Sequence, residues 1–103
     1  TPMPGALEAA GLTLDRTRNE AQRAGGEPVR LTPLEVRLLE ALMLNAGKVL
    51  SADALISTVW GLEGGDKAML KQLVYRLRAK VDDDFTPRLI HTLRGMGYVM
   101  EIR

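Results

Sequence analysis

Residues 66–81 have the apolar periodicity of an amphipathic α-helix. Its apolar side chains recur at intervals of three and four residues, at Leu70, Val74, Leu77 and Val81. At about 100° per residue, these positions share one side of an α-helix, which is expected to be buried. The opposite side is polar, and no acidic residue occurs in positions 67–80. The pattern predicts a surface helix with a positively charged outer face.

Two further helices are predicted ahead of this one. Residues 32–35 read Thr-Pro-Leu-Glu, a capping-box signature in which two side chains satisfy amides that a helix start leaves open. An apolar stripe follows, and Asn-Ala-Gly at residues 45–47 ends the helix. Ser51 caps the second helix, which closes at the Trp-Gly pair of residues 60–61. The chain therefore contains three candidate helices in succession.

Short alternating segments predict strands before the helices. Residues 12–14 and 29–31 alternate between apolar and polar side chains, which favours a small antiparallel sheet. The segment between them, residues 16–24, is compatible with either strand or helix. Residues 1–10 are rich in proline and glycine and are predicted to form a linker or fraying terminus. The folded domain is then expected to occupy residues 11–103.

A hairpin is predicted after the third helix. Residues 89–93 and 98–102 are strand-like, and the intervening Arg-Gly-Met-Gly segment bears the glycines of a turn. Before it, the three aspartates of residues 82–84 are expected in a solvated loop. A small sheet, three helices and a terminal hairpin together form the plan of a winged helix.

The residue inventory argues against an enzyme. The 103 residues include no cysteine and one histidine, so disulfides and thiolate metal sites are excluded and His91 alone cannot form a zinc site. No glycine-rich phosphate loop occurs, and neither Ser51 nor Ser57 has a plausible base. We expect no cofactor, no metal and no membrane span. The sequence does not begin with Met, which suggests a fragment. Its lack of cysteine fits the reducing cytoplasm.

The outer face of the third helix suits a DNA groove. A helix enters the major groove when its outer face is polar and not bulky, and Gln72, Tyr75 and Arg76 lie on that face. Ala68 and Ala79 let the backbone approach closely. Arginine can pair with guanine and glutamine with adenine. Cations at the helix start and flanks are expected to meet phosphates: Lys67, Lys71, Arg78 and Lys80.

Four short segments of the chain form a recognisable set. They are Leu31-Thr32-Pro33-Leu34-Glu35 with Leu38-Leu39, Val59-Trp60-Gly61, Leu77-Arg78-Ala79-Lys80-Val81 and Thr92-Leu93-Arg94-Gly95-Met96-Gly97-Tyr98. Their order and spacing resemble the effector domain of OmpR/PhoB-type response regulators, the DNA-binding half of two-component signalling proteins. The resemblance covers roughly residues 11–102.

The resemblance implies an α+β fold, a winged helix-turn-helix with an N-terminal four-stranded antiparallel sheet, a three-helix core and a C-terminal β-hairpin wing. The third helix would read the major groove of double-stranded DNA, and the wing would reach a minor groove. The loop between the second and third helices would contact RNA polymerase. A receiver domain would precede the domain in the full-length protein, and head-to-tail dimers would form on DNA.

The resemblance also assigns individual residues to the DNA. Trp60 falls at a phosphate-contact position. The recognition-helix positions are Lys71, Gln72, Tyr75, Arg76 and Arg78, and the wing positions are Arg94, Met96 and Val99. An alternative function stays open at this point, because the net charge is only +1 and Val99 is apolar where a basic wing residue is common. That alternative is a winged helix used for protein–protein contact without DNA binding.

Overall fold

The structure is a computed structural model that describes residues 6–102. It begins with an antiparallel sheet. Its four strands are neighbours in chain order: β1 (Ala6–Ala9), β2 (Leu12–Asp15), β3 (Glu20–Arg23) and β4 (Val29–Arg30). Leu12 and Leu14 are fully buried, whereas Thr13 between them is only half-buried. Leu14 pairs with Ala21 on β3, so the segment for which the sequence allowed helix or strand contains a strand.

Strand β1 corrects the predicted start of the domain. Residues 6–10, expected in a linker, form β1 and the turn after it. Leu7 pairs with Leu14 and packs against the core, which anchors the strand. The prolines and glycine of residues 2–5 dominate the composition of the segment and hide the apolar contacts that Leu7 and Ala9 make with the core. The rest of the predicted linker, residues 1–5, lies outside the described residues.

Three helices follow the sheet: α1 (Pro33–Leu44), α2 (Ala52–Trp60) and α3 (Lys67–Val81). Each begins after a residue whose side-chain oxygen accepts a backbone N–H of the first turn: Thr32, Ser51 and Asp66. The predicted capping box of α1 is confirmed, because Glu35 Oε1 also accepts the N–H of Thr32 at 2.8 Å. A single 3-10 turn (Gly61–Glu63) connects α2 to α3.

A two-stranded hairpin of β5 (Ile90–Leu93) and β6 (Gly97–Met100) follows α3. Leu50 and Tyr98 exchange two backbone hydrogen bonds of 2.8 and 2.9 Å, which join β6 to the segment between α1 and α2. Gly97 permits this approach, because a β-carbon there would lie 2.0 Å from the carbonyl oxygen of Leu50. The hairpin is therefore fixed against the start of α2.

One hydrophobic core connects the sheet, the helices and the hairpin. Leu12 of β2, Leu38 of α1, Leu77 of α3 and Leu89 before β5 are all inaccessible to solvent within it. The predicted α+β architecture of four-stranded sheet, three helices and terminal hairpin is confirmed. No helix within residues 6–102 has the length and hydrophobicity needed to cross a membrane.

A buried ion pair joins the sheet to the end of α3. Arg23 on β3 and Asp82, directly after α3, are 6% and 1% exposed, and Arg23 Nη1 lies 3.2 Å from Asp82 Oδ1. Arg23 also donates to the carbonyl oxygens of Val81 and Pro87, at 3.0 and 2.7 Å. Its guanidinium stands over the Phe85 ring, 5.1 Å from the ring centre. The arginine is buried with its charge and donors satisfied.

Asp82 in turn holds the start of the hairpin. Its Oδ1 accepts the N–H of Leu89 at 2.7 Å, and its Oδ2 accepts the N–H of Ile90 at 3.2 Å. The expectation of a solvated Asp82 is therefore wrong, although Asp83 and Asp84 are exposed as expected. Long-range donors explain the difference, because a carboxylate that receives a guanidinium and two amides can be buried without an unpaired charge.

Candidate nucleic-acid interface

The outer face of α3 is accessible along its length. Lys71, Gln72, Tyr75 and Arg76 are exposed, with Tyr75 at 73%, while the other face of α3 is buried in the core. Ala68, Gln72 and Ala79 occupy the same exposed stripe. The face is thus polar, with small residues near each end, and its backbone can approach a ligand closely. This is the shape that a major groove accepts.

The cations of this face are available to a ligand. Lys67, Lys71 and Arg76 are exposed, and none of the ion pairs among residues 6–102 uses them. α3 has no acidic residue to offset their charge. Such unpaired cations on one helix create a local positive potential that attracts a polyanion, even on a chain whose net charge is +1.

Lys80 makes polar contacts inside the domain. Its ammonium lies 2.6 Å from Glu35 Oε1 and donates to the carbonyl oxygen of Arg30 at 3.2 Å. Glu35 is only 1% exposed, so Lys80 neutralises a buried carboxylate at the start of α1. The ion pair fastens α3 to α1 and to β4. The contact of Lys80 with a phosphate stays a prediction.

The Glu35 carboxylate makes the stability of the fold depend on pH. Burial alone would raise its pKa, but hydrogen bonds from the Lys80 ammonium and the Thr32 N–H outweigh burial and hold the pKa below the ordinary glutamate value. A carboxylate with a lowered pKa in the folded state stabilises the fold at pH values above the ordinary pKa of about 4.3. This stabilisation is lost as the pH falls through the lower folded-state pKa.

We expect Glu35→Gln to be less stable than the wild type at about pH 7, with the difference shrinking below about pH 4. Urea unfolding of both proteins across this range measures the effect. Glu40→Gln is the matched control, since Glu40 is a partly exposed carboxylate of the same helix, paired with Arg16. A wild-type advantage over Glu35→Gln that persists undiminished in acid would contradict the prediction.

Arg78 connects α3 to the hairpin. Its Nε donates to the carbonyl oxygen of Ile90 at 3.2 Å, and its Nη2 donates to Thr92 Oγ1 at 2.6 Å. The side chain is half-buried, in contrast to its neighbours Lys71 and Arg76. Two of its five N–H donors are therefore used inside the protein.

Trp60 lies at the end of α2 with its ring buried. It is 8% exposed, and a β-carbon at Gly65 would come within 2.7 Å of the ring, so the glycine allows the loop to pass over the indole. None of the hydrogen bonds among residues 6–102 uses the indole N–H, and no buried side-chain polar atom there lacks a partner. The indole N–H therefore reaches the surface, and its contact with a phosphate stays a prediction.

The tip and the base of the hairpin differ in exposure. Arg94 and Met96 are exposed at the tip, with Met96 at 64%, on either side of Gly95. Val99 is 0% exposed, so its prediction as a wing contact is wrong. Its neighbour Met100 is buried as well, which means that β6 is covered on both faces at this point. Alternation along the strand therefore does not bring Val99 to the surface.

Sequence reasoning missed two side chains beside the predicted set. Arg88 and Thr92 line a groove of about 420 Å³ between α3 and β5, together with Tyr75 and His91. Thr92 lies within one of the four matched segments, but nothing local to Arg88 indicates that it faces α3. Among residues 6–102, no group of three or more histidine, aspartate or glutamate side chains could hold a metal ion.

Residues 26–100 match the family described as "Transcriptional regulatory protein, C terminal". Among curated relatives, the transcriptional activator protein IrlR of Burkholderia pseudomallei is 44% identical over 98 residues, which cover 94% of this chain and 42% of the relative. The transcriptional regulatory protein PcoR of Escherichia coli is 44% identical over 95 residues, which cover 91% of this chain and 42% of PcoR. The chain thus spans about two fifths of the length of the curated relatives it matches.

Solved structures agree with this relationship. The DNA-binding domain of CpxR from E. coli has a TM-score of 0.74 and 32% identity, with 97% of this chain and 96% of that one covered. The Klebsiella pneumoniae RstA DNA-binding domain, solved in complex with the RstA box, has a TM-score of 0.76 and 28% identity, with 92% and 95% covered. Both superpose over nearly their whole length.

Proposed function

Because the chain belongs to the family of C-terminal domains of transcriptional regulatory proteins, the effector domains of OmpR/PhoB-type response regulators, we propose that it binds double-stranded DNA sequence-specifically as the output domain of a two-component regulator. The observation that carries the proposal is the exposed outer face of α3, which has three unpaired cations and no acid. That a related domain was solved with its DNA box supports this assignment.

The residues of the proposed DNA surface divide by chemistry. Arg76 is suited to pair with guanine and Gln72 with adenine, because each offers two hydrogen-bonding groups in one plane. Lys67, Lys71 and the Trp60 N–H would meet phosphates, which position a protein without reading sequence. Tyr75 extends the base-facing stripe. At the hairpin tip, Arg94 and Met96 would face the minor groove.

The remaining partners follow from the same assignment. A receiver domain would precede this domain in the full-length protein, and head-to-tail dimers would form on repeated sites. The turn between α2 and α3 is the surface that would face RNA polymerase, and Leu62 on it is a fully exposed apolar side chain. We assign the domain no catalytic activity and no cofactor, and we place it in the cytoplasm, where its DNA ligand is found.

Titration with duplex DNA at two salt concentrations tests the proposed function. Each phosphate neutralised by the protein releases counterions, so the logarithm of the binding constant falls linearly with the logarithm of salt concentration, by about 0.9 per phosphate. We expect a clear negative slope and a preference for a selected sequence over random duplex. A chain that serves only protein–protein contact would show little binding at either salt concentration.

Replacing Arg76 with alanine tests base reading. We expect a loss of about 1–3 kcal/mol in binding free energy on the selected duplex and a relaxed preference at one base pair. Gel-shift titrations against the selected duplex and its single-base variants measure both effects. Arg18→Ala is the matched control, since Arg18 is exposed in the turn between β2 and β3. An equal loss on every sequence would make Arg76 a phosphate contact instead.

A further inference from the structure

α3 and β5 are connected by side chains at two successive levels. Asp82 accepts the backbone N–H groups of Leu89 and Ile90, and Arg78, one helical turn earlier, donates to Ile90 O and Thr92 Oγ1. As the helix is followed backwards from residue 82 to residue 78, the strand advances towards the hairpin tip. The two elements therefore run in opposite directions with matched contacts.

The match has a simple geometric basis. Four residues of an α-helix rise about 6 Å, and two residues of a β-strand advance about 6.6 Å. Side chains four apart on α3 can therefore bond groups two apart on β5 without strain. Asp82 fixes the base of the hairpin in this way, and Arg78 fixes the strand at a point two residues before Arg94.

Backbone pairing does not supply this connection. Within residues 6–102, β5 pairs with β6 alone, and β6 bonds further to Leu50 in the segment between α1 and α2. The hydrogen bonds that fix the outer part of β5 relative to α3 are therefore those of Arg78. The bond to Thr92 is the short one, and it joins a charged donor to a neutral acceptor, a type of bond stronger than most.

We propose that Arg78 is a positioning residue: its bond to Thr92 Oγ1, on the outer part of β5, sets the distance between the outer face of α3 and the hairpin tip. This inference rests on the proposed function, because the distance matters only when one duplex meets both surfaces. Arg78 then acts on the DNA through the wing. Its direct contact with DNA stays a prediction.

The test removes the bond without removing bulk or charge. Thr92→Val deletes the hydroxyl at an exposed position, and Thr92→Ser retains it as the matched control. The probe is a duplex selected by the wild-type chain from a random pool. Dimethyl sulfate methylates guanine N7 in the major groove and adenine N3 in the minor groove, so one reagent reports α3 and the wing separately.

We expect Thr92→Val to protect guanine N7 as the wild type does, to lose protection of adenine N3, and to bind about tenfold more weakly. Thr92→Ser should retain both protections. If Thr92→Val retains both, or loses both to the same degree, Arg78 does not position the wing. The same holds if the bound wild type leaves adenine N3 unprotected. Failure of the wild type to bind any duplex would overturn the proposed function itself, a distinguishable result.

Discussion

Asp82→Ala is expected to lower the free energy of unfolding by about 3–5 kcal/mol, the range for removal of one partner from a buried ion pair. The substitution leaves the Arg23 guanidinium buried without its counter-charge. It also leaves the N–H groups of Leu89 and Ile90 without the acceptor they use now. Since a small domain is stable by only about 5–15 kcal/mol, this loss is a large share of the total. Urea unfolding followed by circular dichroism measures it.

Asp83→Ala is the control for this experiment. Asp83 is exposed and its carboxylate takes part in none of the hydrogen bonds or ion pairs among residues 6–102, so its loss should change stability by no more than about 0.5 kcal/mol. A double variant that also carries Arg23→Leu should lose less stability than the sum of the two single losses. In the double variant the buried charge that Asp82→Ala leaves unpaired is itself removed. Similar losses at positions 82 and 83 would show that the pair is not the source of the effect.

Gly97→Ala is expected to lower the free energy of unfolding by about 2–6 kcal/mol. A non-glycine residue in a backbone region open mainly to glycine costs about 1–3 kcal/mol, and Gly97 has a φ of 143°. The added methyl would also lie 2.0 Å from the Leu50 carbonyl oxygen, and overpacking typically costs about 1–3 kcal/mol more. The hairpin must then move away from the start of α2. Thermal and urea unfolding measure the loss of stability.

Gly95→Ala separates the two causes. Gly95 also has a positive φ, 78°, but nothing lies within 4 Å of a β-carbon placed there. Its replacement should therefore cost only the conformational part, about 1–2 kcal/mol. If Gly95→Ala and Gly97→Ala lose the same stability, the close approach to Leu50 is not what requires glycine at position 97.

Local signals in the sequence were enough to predict the helices and the hairpin. The Thr32 capping box, the Ser51 cap and the apolar period of α3 each depend on residues within a few positions of one another. The exposed stripe with Gln72, Tyr75 and Arg76 follows from that same period. These parts could be predicted because the information that determines them is contained in one turn or one helix.

What the sequence could not predict depends on contacts between distant residues. Asp82 is buried because it meets Arg23, 59 positions earlier, and Lys80 is occupied because it meets Glu35, 45 positions earlier. Composition treats each of these as an ordinary surface charge. The prediction of Val99 as a wing contact was wrong for a related reason, since both faces of its strand are covered there. Charge identifies candidates, but only the fold decides which of them remain free.

The Arg23–Asp82 pair also determines how a force would travel through the domain. Arg23 belongs to the N-terminal sheet, while Asp82 follows the helix proposed to read DNA, so the ion pair joins the sheet directly to the end of that helix. A hinge motion between the sheet and the end of α3 would have to break the hydrogen bonds and the ion pair of Arg23 while its charge is still buried. A torque applied to the sheet is therefore expected to turn the whole unit. Regulation that acts through the N-terminal sheet would therefore move or cover the outer face of α3 without changing its shape.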